Sequence, residues 1–217
     1  RLVGSEMCIR DSAVSVVISH LVEHHFKELL RKECLFQLSE PTLDKFLGLM
    51  DERCLKAREV LVMTGQTDPD IYIVKEGILS HTYLDGQKER TAFFSMPGTM
   101  TFSSHCFYFG EPALYQVEAC CPTTLLHISK ERFDELAADS HEFCRWALSM
   151  AQCQLYFYEM KQAVINGNAR ERFKSLMDRR PEIMARVPMK KIASYLGITQ
   201  SYLCRLKTIY FKAPEKF

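Results

Sequence analysis

A cluster of polar side chains near the C-terminus has the types and spacing needed to read DNA. Gln200, Ser201 and Arg205 fall on one side of a helix that would begin after Thr199, because residues one turn apart share a helix face. The guanidinium of Arg205 can pair with guanine O6 and N7, the amide of Gln200 with adenine, and the Ser201 hydroxyl with either. This pattern predicts hydrogen bonds to base edges in a major groove.

The element that would position these side chains is a helix-turn-helix between Pro188 and Lys207. Ala193 is small enough for two helices to cross, Gly197 can adopt the positive φ of the turn, and Leu203 fills the junction. The candidate DNA-contacting residues are Thr199, Gln200, Ser201, Tyr202, Arg205, Lys190 and Lys191. An ordinary helical hairpin with a solvated polar face is the alternative, because it can show the same spacing.

The charges are distributed unevenly along a chain whose net charge is only +1. Residues 168–217 hold 12 Lys and Arg against 4 Asp and Glu, a net charge of +8, whereas residues 1–167 hold 16 against 23, a net charge of −7. A basic segment joined to an acidic body is expected when one part meets phosphate and the other does not. The cluster of cations therefore favours double-stranded DNA as the partner.

Composition restricts the remaining classes of protein. With 47% apolar residues in 217, the chain can build packed cores. It has no apolar stretch long enough to span a bilayer and no convincing signal peptide, so we expect a cytoplasmic protein without membrane contact. Nine scattered cysteines without a CxxC pair predict free thiols. Residues 1–12 show no periodicity that continues into the first helix, and we expect them to be a non-native leader.

The body of the chain changes from a helical to a strand pattern. Helical spacing extends from Val16 to about Arg53, with a helix start at Ser39 and Pro41. Short apolar or alternating runs come next, separated by turn residues, and Gly110–Pro112 is one such predicted hairpin turn. The runs are Val60–Met63, Ile71–Val74, Ile78–Tyr83, Arg90–Phe94, Leu114–Ala119 and Thr124–Ile128. They predict a small antiparallel barrel or jelly roll.

A short helix from Lys130 to Leu136 and a long helix from His141 to about Ile165 come after the strands. The long helix is apolar on more than one side, which one domain surface cannot cover. We therefore expect one side to cover the barrel and the other to meet the same helix of a second subunit, which gives a twofold homodimer. The residues assigned to this dimer helix are Trp146, Met150, Cys153, Phe157 and Met160. A fully buried helix in a monomer is the alternative.

The order of these parts resembles the Crp/Fnr family of bacterial transcription regulators. The resemblance covers roughly residues 20–209, includes Val74-Lys75-Glu76-Gly77 after the early strands, and is strongest from Val187 to Arg205, which looks like the Bacteroidetes-type branch. It implies an α+β fold: a cyclic-nucleotide-binding-type jelly roll, a long dimerisation helix and a C-terminal helix-turn-helix domain. The predicted boundaries are a leader at 1–12, a sensor barrel with flanking helices at 13–139, a dimer helix at 140–166 and a DNA-binding domain at 167–217.

The resemblance also suggests where an effector would bind. Family members that bind cAMP use a Gly-Glu pair and an Arg-Ser or Arg-Thr pair about ten residues later: backbone N–H groups and the guanidinium hold the phosphate, and the Glu takes the ribose hydroxyl. Counted back from Ile128-Ser129, these positions fall near Thr101-Phe102 and Ala113-Leu114, which lack that chemistry. We therefore predict that the candidate effector pocket at Thr101, Phe102, Ala113 and Leu114 does not bind cAMP or a related cyclic nucleotide through such a cassette. An unknown small-molecule effector stays open.

Other chemistries find no motif in the sequence. There is no GxSxG, HExxH, P-loop or GxGxxG motif, and no cysteine or histidine spacing that predicts a metal site. We therefore predict a non-enzymatic transcription regulator without an identified cofactor. The alternative is a cyclic-nucleotide-type regulatory module whose basic tail binds an acidic partner and never reads DNA.

Overall fold

The computed structural model describes residues 21–32, 34–165 and 167–212, without the side chains of Phe157 and of residues 160–165. The expectation for residues 1–12 and the assignments of Phe157 and Met160 therefore lie outside the described residues and side chains. In chain order, the elements are α1 (described over residues 21–32), α2 (Glu40–Gly48), β1 (Asp51–Leu55), β2 (Val60–Val62), β3 (Ile71–Glu76), β4 (Leu79–Asp85), β5 (Lys88–Ser95), β6 (Met100–Thr101), α3 (Ser104–Phe109), β7 (Gln116–Ala119), β8 (Thr123–Ile128), α4 (Lys130–Asp139), α5 (His141–Ile165), α6 (Ala169–Arg179), α7 (Glu182–Arg186), α8 (Met189–Tyr195) and α9 (Gln200–Lys212).

The strands of the described residues form two four-stranded antiparallel sheets. One has the order β1-β8-β3-β6 and the other β2-β7-β4-β5. Alternate side chains of each strand face the opposite sheet, and Leu55, Val74, Leu79, Ala119 and Leu125 belong to one buried core there. The predicted fold class, an antiparallel jelly roll followed by a long helix and a helical C-terminal region, is confirmed.

Helices α1, α2, α4 and α5 enclose a second core that is rich in aromatic rings. The ring centroid of Phe46 lies 4.9 Å from that of Phe143 and 5.1 Å from that of Trp146. Tilted and edge-on ring pairs of this kind add to the stabilisation from burial. The turn before β6 packs closely on α1, because a Cβ on Gly98 would lie 2.8 Å from the Leu29 backbone. This core fixes α5 against the barrel.

The fixed side of α5 is the one that the sequence assigned to the dimer. Trp146 and Met150 are each 2% exposed in this single chain and belong to the aromatic core, so their assignment as dimer contacts is wrong. Cys153 is half-buried. Leu148 and Leu155 lie on the opposite face and are each 60% exposed. The helix has two apolar sides, as predicted, but the covered and open sides are exchanged.

Two local predictions also differ from the structure. The helix predicted to reach Arg53 ends at Gly48, and Asp51–Leu55 is instead a strand with four of its five side chains exposed. The hairpin turn predicted at Gly110–Pro112 is instead the end of α3, where Gly110 adopts a left-handed φ of 66°. Glycine is favoured at this position because it has no Cβ to clash with the backbone.

Candidate DNA-binding surface and barrel cavity

Helices α8 and α9, the segment predicted to be a helix-turn-helix, are joined through local contacts that the sequence predicted. Gly197 has a φ of 64° in the turn, and the amide of Ile198 donates to the carbonyl of Ala193 over 3.0 Å. The hydroxyl of Thr199 accepts from the amide of Tyr202 over 3.2 Å, which caps the start of α9. Leu203 is fully buried in the junction. The two helices are therefore held in a fixed arrangement.

The outward face of α9 is polar and open. Gln200, Ser201, Cys204, Arg205 and Thr208 are all exposed, opposite buried Leu203 and Leu206. Tyr202 is half-buried, and the Arg205 guanidinium lies 5.3 Å from the centre of its ring. This cation–π contact supports the Arg205 side chain without using its hydrogen-bond donors. The face can therefore donate to and accept from base edges.

The basic residues around this face divide into open and occupied cations. Lys174, Arg179 and Lys190 are exposed, where each can meet a phosphate. Arg172 is half-buried, and its Nε donates to the carbonyl of Leu196 over 2.9 Å. Arg172 therefore ties α6 to the end of α8, which is a structural role that the charge count could not separate from DNA contact.

Lys191 differs from its neighbour Lys190. It is buried, and its Nζ lies 3.0 Å from Glu118 Oε1 and 2.8 Å from Ser80 Oγ. In this arrangement its ammonium is held by the barrel, so its assignment as a free phosphate contact is corrected. Sequence reasoning missed Glu118 and Ser80, because a single carboxylate and a hydroxyl on strands carry no motif.

The helix-turn-helix packs directly on the β2-β7-β4-β5 sheet. Ser194 Oγ accepts from the Thr91 amide over 2.9 Å and donates to the Glu89 carbonyl over 3.3 Å. The rings of Tyr195 and Phe94 lie 5.2 Å apart. Barrel side chains join the buried core of the helix-turn-helix: Ile78, Met96 and Cys120. Burial raises the pKa of the Cys120 thiol to about 11, so this thiol is protonated and unreactive while covered.

The barrel contains only a small cavity at the predicted effector position. Thr101 and Phe102 line it, together with Asp68 and Asp70, and it encloses about 10 Å³, which is room for about one water molecule. Ala113 is buried but does not line the cavity, and Leu114 is 56% exposed. The predicted four-residue pocket is therefore wrong in its second half, because Ala113 packs in the barrel core and Leu114 is exposed to solvent.

This cavity does not fit a cyclic nucleotide. Ligand sites for molecules of comparable size enclose roughly 300 Å³ or more, and the two aspartates at the wall would repel a phosphate. Asp70 is engaged with His127 over 2.8 Å and with the Lys130 amide over 3.2 Å. Asp68 accepts from the Tyr72 hydroxyl over 3.0 Å. These contacts hold both carboxylates in place, and the described residues that line the cavity include no Lys or Arg for an anionic ligand.

A buried histidine, His81, contacts Thr101, which is one of the residues that line the cavity. His81 Nε2 is 2.9 Å from Ser95 Oγ and 3.3 Å from Thr101 Oγ1, and the imidazole stacks on Phe93 with centroids 3.9 Å apart. Burial lowers the pKa of His81 to about 3.

In the described part of the chain, no group of three or more His, Cys, Asp or Glu is placed to hold a metal ion. Over the same residues, no helix has the length and apolar content to cross a bilayer.

The barrel segment matches a known family of domains. Residues 52–140 match the family model described as Cyclic nucleotide-binding domain. A search of curated protein sequences gives no match. The family model thus identifies the type of barrel, whereas the acidic lining of its small cavity differs from what an anionic nucleotide needs.

Solved structures resemble a wider part of the chain. FixK2 from Bradyrhizobium japonicum has a TM-score of 0.63 at 19% identity, covering 75% of this chain and 84% of that one. CLP from Xanthomonas campestris, a c-di-GMP-responsive global regulator, has a TM-score of 0.63 at 18% identity, covering 78% and 90%. The catabolite activator protein of Thermus thermophilus has a TM-score of 0.50 at 15% identity, covering 81% and 84%. All three are regulators of the Crp/Fnr type, and the likeness establishes a shared fold.

Proposed function

We propose that this chain is a sequence-specific DNA-binding transcription regulator of the Crp/Fnr type, of its Bacteroidetes-type branch, that acts in the cytoplasm without catalysing a reaction. One observation carries the proposal: a capped helix-turn-helix exposes Gln200, Ser201 and Arg205 together within a segment of net charge +8. The fold shared with FixK2, CLP and the catabolite activator protein supports it.

Recognition divides between two sets of side chains. Exposed cations such as Lys174 and Lys190 would contact phosphates, which contributes affinity without sequence preference. Gln200, Ser201 and Arg205 would contact base edges, and Thr199 and Tyr202 would hold the helix and Arg205 in place. The preference for a sequence therefore depends on Arg205 more than on any phosphate contact.

The protein would bind as a homodimer through the exposed face of α5. Leu148, Gln152, Leu155 and Glu159 recur at i, i+4, i+7 and i+11 and are all exposed in the single chain, so a second α5 could pack along this row. Exposed leucines in a row are a recognised sign of an interface. A twofold dimer would set two α9 helices to meet successive major grooves, about 34 Å apart.

The barrel would act without a cyclic nucleotide bound through a phosphate cassette. Its cavity is about 10 Å³ and carries Asp68 and Asp70, so the effector is either another small molecule that opens the wall or a signal that acts elsewhere on the barrel. The small volume of the cavity and its acidic lining support this part of the proposal.

Selection of binding sites from random duplexes tests the DNA-binding proposal. We expect the full chain to enrich a two-fold-symmetric site with half-sites about one helical turn apart. Arg205→Ala should weaken binding to that site by about 1–3 kcal/mol and relax preference at one position in each half-site. Lys174→Ala is the matched control, because loss of an exposed phosphate contact should weaken binding to all duplexes equally.

Two outcomes would contradict the proposal. Failure to enrich any sequence, with the chain folded, would favour a regulatory module that binds an acidic partner instead of DNA. Equal loss on selected and random duplexes for Arg205→Ala would remove base recognition from this residue.

A further inference from the structure

The contact between α8 and the barrel contains a buried ion pair. The Lys191 side chain is 10% exposed and the Glu118 side chain 16%, and Ser80 Oγ completes the surroundings of the ammonium at 2.8 Å. Glu118 is held in turn, because its Oε2 accepts from Gln116 Nε2 over 3.4 Å. Removing either partner of a pair this buried leaves the other charge uncompensated, which destabilises the contact between α8 and the barrel.

Carboxylates of the barrel form ion pairs with cations of the basic segment that could otherwise contact DNA phosphates. The first helix of a helix-turn-helix crosses the DNA backbone, and Lys191 stands in the first turn of that helix. A second cation of the basic segment, Arg186, lies 3.9 Å from Glu76 on β3. In the docked position the Lys191 side chain is only 10% exposed and is not accessible to a phosphate, so barrel contact and DNA contact compete for one group.

We propose that Glu118 and Ser80 form a latch that holds Lys191, keeps α8 on the barrel and lowers the affinity of the helix-turn-helix for DNA. The proposal rests on the proposed DNA-binding function. When the latch opens, Lys191 becomes available to a phosphate, and one more cation contributes to binding. By linkage, DNA that takes Lys191 also weakens the hold of the barrel on α8.

The structure supplies an internal probe of the latch. Cys120 is 7% exposed and belongs to the core that joins the barrel to the helix-turn-helix, whereas Cys54 and Cys144 are exposed thiols elsewhere. When α8 leaves the sheet, Cys120 becomes accessible to a thiol reagent, and its pKa returns toward the ordinary thiol range. Alkylation by iodoacetamide, resolved by peptide mass spectrometry with Cys54 as reference, therefore measures opening without DNA.

Glu118→Gln is the test variant, and Glu111→Gln is the matched control. Both remove one negative charge, but Glu111 is exposed and lies outside the latch. In Glu118→Gln, iodoacetamide should alkylate Cys120 at least about fivefold faster than in Glu111→Gln, and the selected duplex should bind several-fold more tightly. The slope of the logarithm of the DNA-binding constant against the logarithm of salt concentration should steepen by about one. Lys191→Gln should also speed Cys120 alkylation. Its salt dependence of DNA binding should equal that of the unaltered chain, because opening the latch in this variant releases no cation.

Circular dichroism and the thermal midpoint establish that each variant is folded. Equal Cys120 alkylation in Glu118→Gln and Glu111→Gln would overturn the latch. Weaker DNA binding by folded Glu118→Gln would also overturn it, because the docked arrangement would then be the one that binds DNA. Faster alkylation with no DNA binding by any chain would overturn the DNA-binding function, and the inhibitory role of the latch with it.

Discussion

Leu155 lies on the open face of α5 and is 60% exposed in the single chain. If two copies of α5 pack along this face, Leu155→Glu replaces an apolar contact with a charge in each protomer, and the two charges lie near one another across the twofold axis. Leu155 is not a member of the aromatic core on the other side of the helix. The substitution should therefore separate protomers without unfolding them.

The expected loss of dimer stability follows from the exposed fraction of the Leu155 side chain. Full burial of a leucine side chain contributes about 1.5–3 kcal/mol, so burying the remaining 60% would contribute about 1–2 kcal/mol for each Leu155. Two protomers lose about 2–4 kcal/mol together, which raises the dimer Kd roughly 30- to 700-fold. Repulsion between the two glutamates adds to this loss.

Sedimentation velocity over a range of protein concentrations measures the change in Kd. Leu21→Glu is the matched control, because Leu21 is a leucine of similar exposure, 65%, on α1. Trp146→Glu provides a contrast: it should unfold the aromatic core, since Trp146 is 2% exposed, and should be detected as a lost thermal transition. An unchanged dimer in Leu155→Glu, or equal dissociation of Leu21→Glu, would refute the assignment of this face.

Two further predictions concern the barrel. His81 has a pKa of about 3 in the folded chain against about 6.5 when unfolded, so its contribution to stability is present above about pH 6.5 and is lost as the pH falls toward 3. Between pH 7 and 5, the free energy of unfolding should fall by about 2 kcal/mol more in the unaltered chain than in His81→Asn, measured by urea denaturation; parallel pH profiles would contradict this. Millimolar cAMP should not raise the Tm, because a Kd above 1 mM changes stability by less than about 0.4 kcal/mol; a clear rise would show that the wall at Asp68 and Asp70 opens to admit a nucleotide.

The parts that the sequence predicted well are those whose signal is local. The turn at Gly197, the cap at Thr199 and the polar face of α9 depend on residues within a few positions of one another, and each is present in the structure. The long helix His141–Ile165 is likewise predictable from its periodicity. Backbone geometry and helix spacing are short-range properties, so one sequence is enough to predict them.

The elements that the sequence did not predict have weak local signals. Strand β1, Asp51–Leu55, exposes four of five side chains, so it lacks the alternation that marks a half-buried strand. Helix α3 has only six residues, which is too short for a helical period to be distinguished. Half of the predicted effector pocket is wrong, because a position counted along the chain does not determine whether a side chain lines the cavity, packs in the core as Ala113 does, or is exposed as Leu114 is.

The sequence by itself determined the jelly roll, the long helix, the paired helices α8 and α9 and the polar face of α9, because each depends on periodicity or on residues close in the chain. Only the tertiary structure decided which side of α5 is covered, since both sides are apolar and the choice depends on Phe46 and Phe143. It also decided that Lys190 is open whereas Lys191 is held by Glu118, more than 70 positions earlier in the chain. Charge is a property of a residue, but its availability to a partner depends on which distant groups the fold brings beside it.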